Sequence, residues 1–266
     1  MNQSPELSTH QVEQVARQLA AKSPEDVKLT TVGEAANSVS LRAEANSRQV
    51  FIKLFRPGIV ARQAYQREQT ALAVFSGDLV PQILLADPET GFLITDFIQG
   101  RTLADSVTGQ NLPQMAEFLG NWLGRLANLA PRLDHDGDWA GYLDRYESGF
   151  DKAVLADHAP FLSGQRIGQL VLARNDNALS NFVIAPDRRL YGVDFEFSRM
   201  KPEGWDLITA ARAFLDMYPQ EFDVIIASML RGYHLTVMEN GIGEAFENVI
   251  RVLVTANLLS NAASSP

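Results

Sequence analysis

The chain has 266 residues, 46% of them hydrophobic, and a formal net charge of −9; this length suffices for one large domain or two lobes. Since it contains no cysteine, a disulfide framework and a thiolate zinc site are both excluded. The negative charge argues against nucleic acid as a partner.

The N-terminal MNQSPELSTH lacks the basic and apolar regions of a signal peptide, and no apolar run approaches membrane-spanning length. A cytoplasmic protein without a membrane partner is therefore expected, and no pattern indicates an oligomeric state.

The first part of the chain predicts one helix followed by a small antiparallel sheet. Ser8–Ala21 has the apolar spacing of an amphipathic helix, with Ser8 and Gln11 as a capping box. From Val27 to Phe55 the period changes to two, which predicts a three-stranded antiparallel meander. Its first turn, Gly33–Ser38, is a candidate phosphate loop, although a loop with a single glycine is more often a plain hairpin.

A lysine in the third predicted strand is the first candidate site residue. Lys53 interrupts the otherwise apolar run Val50–Phe55, and the next segment, Ile59–Phe75, is predicted to be a helix with Glu68 in its middle. Lys53 is a candidate phosphate ligand, and Glu68 is a candidate partner for its amine. An outward-pointing edge lysine and a solvated glutamate explain the same pattern equally well.

Two further strands, Val80–Ala86 and Gly91–Ile98, complete a predicted sheet of five strands with one inserted helix. Thr95–Gly100 then has the character of a hinge. Its main-chain carbonyl at Asp96 and main-chain amide at Ile98 are candidate hydrogen-bond partners for the edge of an adenine. The hinge, at about residues 96–100, divides the chain into a predicted N-terminal lobe, 1–98, and a C-terminal lobe, 99–266.

The C-terminal lobe is predicted to be mainly helical. The expected helices are 113–131, Tyr142–Ala156, Trp205–Met217, Glu221–His234 and Ile242–Asn261. Leu133–Trp139, with the sequence LDHDGDW, is expected to be an acidic loop. It has some features of a metal loop but no glutamate at calcium-loop spacing, so a solvated loop is favoured.

The stretch from Leu170 to Phe197 contains the strongest chemical pattern. Three short apolar runs predict a strand and then a hairpin, whose second strand, 190–195, carries Asp194. Asp176 and Asn181, five residues apart, occupy the polar loop between the first strand and the hairpin. A carboxylate, an amide and a second carboxylate suit divalent metal and phosphate chemistry.

Each part of this pattern is weak alone, because an ordinary hairpin with solvated acids would give the D-x-x-x-x-N spacing as well. Asp194 is the exception. It lies inside the apolar run Tyr191–Phe197, where an unpaired carboxylate is energetically expensive. We therefore expect a cation next to it.

The order Lys53, Glu68, hinge, Asp176, Asn181, Asp194 resembles the protein-kinase-like fold, specifically its aminoglycoside phosphotransferase and choline kinase branch. Val193-Asp194-Phe195-Glu196 is similar to the form that this small-molecule branch has in place of Asp-Phe-Gly, and Trp205-Asp206-Leu207 is similar to the motif that follows. Arg174-Asn175 departs from the branch, which has His-Gly before the catalytic aspartate.

The resemblance implies an α+β, bilobal protein-kinase-like fold, with a small antiparallel-sheet N-lobe carrying one inserted helix and a larger, mainly helical C-lobe. It also implies ATP and Mg²⁺ as cofactors and a small-molecule hydroxyl as acceptor. Asp176 would be the catalytic base, and Asn181 and Asp194 the metal ligands. Lys53, Glu68, Asp96 and Ile98 would bind the nucleotide. Asp206 would brace the catalytic loop.

The charge distribution bears on the acceptor. Up to Ile98 there are nine Lys/Arg against eleven Asp/Glu, whereas the remainder has fourteen against twenty-one. This excess, with acidic residues from Asp134 to Asp157, favours a cationic amino-alcohol or aminoglycoside, and a sugar or other neutral metabolite is the competing acceptor class. A nucleotide-binding pseudokinase or interaction module is the alternative function, and the departure at Arg174-Asn175 is its support.

Overall fold

The computed structural model describes residues 7–146, 149–236 and 243–262. Contacts between residues divide the chain into two units. The first contains the chain up to Gly100 and the segment Ala185–Phe197, and the second contains Arg101–Ile184 and the chain from Ser198 onward. In these described ranges, no helix is both long and apolar enough to cross a membrane.

The strands and α-helices of the described residues are numbered in chain order. The strands are β1 (Lys28–Glu34), β2 (Ser38–Ala45), β3 (Arg48–Phe55), β4 (Ile83–Asp87), β5 (Phe92–Asp96), β6 (Arg101–Thr102), β7 (Arg132–Asp138), β8 (Arg166–Ala173), β9 (Phe182–Ile184), β10 (Leu190–Gly192) and β11 (Arg199–Pro202). The helices are α1 (Thr9–Gln18), α2 (Ile59–Val74), α3 (Leu103–Ser106), α4 (Leu112–Leu129), α5 (Trp139–Tyr146), α6 (Lys152–Asp157), α7 (Ala159–Ser163), α8 (Trp205–Met217), α9 (Phe222–His234) and α10 (Glu244–Ala262).

The first unit contains a five-stranded antiparallel sheet in the order β1-β2-β3-β5-β4. Alternate residues of its central strands, such as Ile52 on β3 and Ile94 on β5, are fully buried in one cluster with Val15 and Leu19. Helix α1 begins with the predicted capping box, in which the Ser8 and Gln11 side chains each accept from the other's main-chain N–H. The meander, both later strands and α2 are confirmed.

The second unit is mainly helical, with two small sheets that the sequence did not predict in full. β8 lies between β7 and β11 in an antiparallel sheet, and β6 pairs with β9. The helices predicted at 113–131, 205–217 and 221–234 are confirmed as α4, α8 and α9. A small antiparallel sheet and a mainly helical remainder confirm the α+β class.

The acidic segment Leu133–Trp139 is not a loop, and this prediction was wrong. Arg132–Asp138 is strand β7, with Leu133 opposite Leu170 and His135 opposite Gly168. Aspartate is rare in strands, but strand propensity depends on context. Here the main chain of β8 supplies the pairing, while the side chains of Asp134 and Asp136 are exposed to solvent.

The single helix predicted at Tyr142–Ala156 is also wrong. The chain forms α5 and, after a break, α6, with Asp151 as the N-cap of α6. The Asp151 carboxylate accepts hydrogen bonds from the main-chain N–H groups of Ala153 and Val154, each at 3.0 Å. Aspartate favours this capping position over a helix interior. Glu147, which the prediction placed in the helix, lies outside the described residues, as does Ile242, the predicted start of the last helix.

Helices α4 and α9 pack with their main chains in direct contact, and two glycines make this possible. A Cβ atom added to Gly120 would lie 2.1 Å from the main-chain oxygen of Met229, and one added to Gly232 would lie 2.0 Å from that of Glu117. No side chain fits at these distances, so the second unit depends on glycine at both positions.

Gly120→Ala is therefore expected to destabilise the protein. Alanine is the better helix former by about 1 kcal/mol, but the added methyl group must push the two helices apart. Overpacking of this kind costs about 1–3 kcal/mol. Urea denaturation measures the change in the free energy of unfolding. Gly109→Ala is the control, since an added Cβ there meets no atom within 4 Å. Equal stability of the two variants would contradict the prediction.

Candidate active site

Lys53 lies on β3 and does not point outward from a sheet edge. β3 is flanked by β2 and β5, where Ser40 and Leu93 are its Cα partners. The side chain of Lys53 is buried, and its Nζ atom is 2.6 Å from Glu68 Oε2, 2.7 Å from Asp194 Oδ1 and 3.2 Å from Glu196 Oε2. One ammonium group thus contacts three carboxylates within the first unit.

The charges around Lys53 determine its protonation. Burial lowers the pKa of Lys53, but the negative charges of Glu68, Asp194 and Glu196 raise it, and the net result lies above the ordinary value. Burial raises the pKa of the Glu68 carboxyl, and the ammonium of Lys53 opposes that effect. The lysine is therefore a permanent cation at neutral pH, held in place by Glu68 from α2.

Asp194 does not lie in a strand, and the prediction of a strand at 190–195 was wrong at this point. β10 ends at Gly192, and Asp194 has a φ of 65°, in the left-handed region. Aspartate adopts this conformation more readily than most residues. The turn leaves the Asp194 side chain 38% exposed while Phe195 is fully buried, its ring 5.9 Å from that of Phe75. The Asp194 carboxylate contacts the ammonium of Lys53, and its role as a metal ligand stays a prediction.

Glu196 is the site residue that the sequence analysis missed. It is buried, its Oε2 atom lies 3.2 Å from Lys53 Nζ without a hydrogen bond, and its main-chain oxygen accepts a 2.5 Å hydrogen bond from Arg67 Nε. The available signal was a second acid in the apolar run that carries Asp194.

Oxygen atoms of Glu68, Asp194 and Glu196 lie within 4.8 Å of one another. These oxygen atoms are of the donor type that Mg²⁺ prefers, but all three carboxyl groups also contact Lys53 Nζ, so a metal ion would share them with the ammonium group.

The other two candidate nucleotide segments of the first unit have ordinary main-chain structure. Asp96 ends β5, where its N–H donates to Gln82 O at 3.0 Å and its carbonyl accepts from the Thr95 hydroxyl at 3.2 Å. Ile98 follows, half-buried. The Gly33–Ser38 turn is closed by the Ala35 N–H, which donates to Ser38 O at 2.9 Å.

In the second unit, Asp176 and Asn181 lie in the loop after β8, and their side chains are in contact. Asn181 Nδ2 donates to Asp176 Oδ2 at 3.2 Å, while the other carboxylate oxygen of Asp176 accepts from the Ala178 N–H at 3.2 Å. Both side chains are half-buried. The D-x-x-x-x-N spacing therefore closes a compact loop, with the carboxylate and the amide at its two ends.

Asp206 holds this loop from below. Its carboxylate, in the first turn of α8, accepts the main-chain N–H groups of Arg174 and Asn175 at 3.0 and 2.9 Å, and the side-chain amide of Asn177 at 2.8 Å. Burial raises the pKa of Asp206, and these donors oppose the rise by stabilising the ionised form. The expected bracing contact is present.

A family model described as the phosphotransferase enzyme family matches residues 28–241, a range that contains every candidate site residue named above. The chain belongs to this family. No curated protein matches the chain in sequence.

Solved structures of other phosphotransferases share the fold with this one. The choline kinase LicA of Streptococcus pneumoniae is 17% identical, with 95% of this chain and 100% of that chain covered and a TM-score of 0.55. An aminoglycoside-3'-phosphotransferase of type VIII is 17% identical, with 92% and 98% covered and a TM-score of 0.53. The streptomycin-ATP-APH(2")-IIa ternary complex is 13% identical, with 86% and 85% covered and a TM-score of 0.51. At these identities the likeness establishes the protein-kinase-like fold.

Two of the acidic residues considered for the acceptor have structural roles in this phosphotransferase. Asp138 Oδ1 accepts the Gly141 N–H at 2.8 Å at the start of α5, and Asp151 caps α6. Asp134, Asp136 and Asp144 are exposed. In the part of the chain that the structure describes, the group of three side chains suited to a metal ion is Glu68, Asp194 and Glu196, not the LDHDGDW segment.

Asp206→Ala is expected to destabilise the phosphotransferase because it leaves two main-chain N–H groups, those of Arg174 and Asn175, without an acceptor. Each such buried group costs about 1–3 kcal/mol, so the free energy of unfolding should fall by about 2–6 kcal/mol. Chemical denaturation measures it. Asp206→Asn, which keeps one acceptor oxygen, should lose less, and Asp136→Ala, at an exposed position, should lose little. If Asp206→Ala and Asp136→Ala are equally stable, the bracing role is excluded.

Proposed function

We propose that the chain is an ATP-dependent phosphotransferase that transfers the γ-phosphate of ATP to a hydroxyl group of a small molecule. The observation that carries this proposal is the buried Lys53 ammonium held by Glu68 and Asp194. A fixed, permanently charged amine with a carboxylate orienting it is what binding of nucleotide phosphates requires. Membership of the phosphotransferase family supports the same reaction.

The first unit supplies the nucleotide contacts in this proposal. Lys53 binds the α- and β-phosphates, and Glu68 positions its amine. The main-chain carbonyl of Asp96 and the main-chain amide of Ile98 bind the adenine edge. The Thr95 hydroxyl, which donates to the Asp96 carbonyl, leaves that carbonyl a second lone pair for the exocyclic amine of adenine. ATP in the complex of APH(2")-IIa supports this choice of nucleotide.

The second unit supplies the catalytic base. Asp176 accepts the hydrogen bond of the acceptor hydroxyl, orients its oxygen and takes its proton. The oxygen bonds to the γ-phosphorus as the bond from that phosphorus to the β-phosphate oxygen breaks, and ADP leaves. Asn181, whose amide now donates to Asp176, presents its own side-chain oxygen as a metal ligand. Asn181 and Asp194 are the ligands proposed for Mg²⁺, which when bound neutralises charge on the phosphate oxygens.

For the acceptor we propose a cationic amino-alcohol or an aminoglycoside. The negative charge of the chain after Ile98 and the three exposed carboxylates of Asp134, Asp136 and Asp144 support a cationic ligand through electrostatic attraction. The similar structures include a choline kinase and an aminoglycoside phosphotransferase, and choline and the aminoglycosides in these names are cationic alcohols. A neutral sugar is the competing acceptor.

The function is tested by incubating the protein with Mg-ATP and a panel of amino-alcohols, aminoglycosides, sugars and nucleosides, and by measuring ADP and phosphorylated product. Asp176→Asn keeps the shape of the side chain but cannot accept a proton, and it replaces one of the two carboxylate oxygens that accept from Asn181 and Ala178 with an NH₂ group. Positioned acid–base catalysis contributes about 10²–10⁴ in rate, so turnover should fall by that factor while ATP still binds.

Asp187→Asn is the matched control, because it makes the same change on an exposed turn and should leave turnover unchanged. If the wild-type protein binds Mg-ATP and phosphorylates no member of the panel, it is a nucleotide-binding pseudokinase and the proposal is wrong. Phosphorylation of sugars alone would retain the reaction and refute the cationic acceptor.

Lys53 and Glu68 are expected to act as one unit in ATP turnover. Lys53→Met removes the ammonium, and Glu68→Gln removes the charge that fixes it, so each variant should lower kcat/KM for ATP. Because both changes disrupt one interaction, the double variant should be much less impaired than the product of the single effects predicts. Steady-state kinetics of the four proteins measures this coupling. Independent, multiplicative effects would show that the 2.6 Å contact has no role in turnover.

A further inference from the structure

Arg174 is a fully buried arginine immediately before the catalytic loop. Its guanidinium donates from Nε to the main-chain oxygen of Asp176 at 3.1 Å and from Nη1 to the main-chain oxygen of Asn181 at 3.5 Å. These two residues are the proposed base and a proposed metal ligand. One planar group therefore contacts the main chain at both ends of the loop that carries them.

The surroundings of the guanidinium fix its orientation. The Cζ atom of Arg174 lies 4.5 Å from the centre of the Phe182 ring and 5.9 Å from that of Trp122, and these two rings meet edge to face at 5.2 Å. Aromatic faces attract a cation, and a guanidinium has five N–H donors in one plane. The rings and the carbonyls together restrict the position of that plane.

Asn175, which replaces the glycine of the family pattern, fits the conformation of the loop. Asn175 has a φ of 69°, a left-handed conformation that glycine adopts freely and that asparagine tolerates better than most residues. Its side-chain oxygen accepts a 3.0 Å hydrogen bond from Trp205 Nε1. The main chain thus adopts at Asn175 a conformation suited to the family glycine, so the loop does not need His-Gly to form.

We propose that Arg174 is a positioning residue for phosphoryl transfer, which sets the separation between Asp176 and Asn181 by holding the main chain at both positions. This inference rests on the proposed function. A misplacement of a reacting group by about 1 Å can cost about 10²-fold in rate, so a rigid link between the two residues would act on kcat. Arg174 has no role in ATP binding in this proposal, and KM for ATP should change little.

The test compares Arg174→Met, Arg174→Lys and Arg174→His with wild type. Methionine fills similar space without any donor, and lysine keeps the charge but presents a single nitrogen that cannot span both carbonyls. We expect Arg174→Met to lower kcat about 10²-fold with KM for ATP within about threefold of wild type. Arg174→Lys and Arg174→His should retain intermediate rates, since each keeps an N–H group for one of the two carbonyls but cannot span both.

Arg132→Met is the matched control. The Arg132 guanidinium also donates to a main-chain carbonyl, that of Ala127 at 3.1 Å, but it contacts Gln169 and Glu203 rather than the catalytic loop. Its kcat should stay at the wild-type level. Hydrogen exchange provides a readout that does not need activity: the main-chain amides of 175–181 should exchange faster in Arg174→Met, and those of the control should not.

Three outcomes would overturn the inference. The first is an unchanged kcat in Arg174→Met with unchanged exchange in 175–181. The second is a lower melting temperature with kcat unchanged, which would make Arg174 a purely structural residue. The third is loss of the folded state in all three Arg174 variants, which would make it a determinant of folding. If the wild-type protein itself transfers no phosphate, the proposed function fails, and the exchange experiment still decides whether Arg174 orders the loop.

Discussion

The structure of the first unit depends on carboxylates that stabilise one buried ammonium group, that of Lys53. Lys53 enters the sheet on its central strand, where an unpaired charge would be expensive, and three carboxylates from α2 and from the segment after β10 surround it. This requirement explains why Glu68 is buried in a helix and why the chain turns through a left-handed conformation at Asp194. The three carboxyl groups together offer more oxygen atoms than one ammonium group contacts, a donor set that suits a further cation.

In the second unit a buried carboxylate binds main-chain N–H groups, whereas the carboxylates of the first unit bind a charged side chain. Asp206 accepts two consecutive N–H groups, those of Arg174 and Asn175, and so fixes the start of the loop that carries Asp176. Proposed catalytic residues are precise only when the residues behind them are fixed. Trp205 and Leu207, the neighbours of Asp206 in α8, are buried, and their packing holds in place the carboxylate to which the loop is hydrogen-bonded.

The sequence predicted those parts of the fold in which local pattern and tertiary structure agree. The meander and α4 have clear periodicity, and the fifteen-residue spacing of Lys53 and Glu68 matched their contact. The prediction was wrong where the structure depends on a strand distant in sequence. β7 is acidic and forms a strand because it pairs with the main chain of β8. The prediction failed also at Asp194 and Glu196, because an apolar run indicates burial and not whether the chain is extended or turns.

Arg174-Asn175 shows that residues other than those of the family motif can meet the same structural requirements. The loop needs a residue that tolerates a left-handed φ and a buried donor that reaches its carbonyls. Asn175 meets the first requirement at 69°, and the Arg174 guanidinium meets the second. A histidine offers at most two ring donors, which point away from each other, whereas the guanidinium directs several N–H groups within one plane. The replacement of His-Gly by Arg174-Asn175 is therefore no evidence that the loop geometry is lost. This replacement was the support for a pseudokinase, and it no longer favours that alternative.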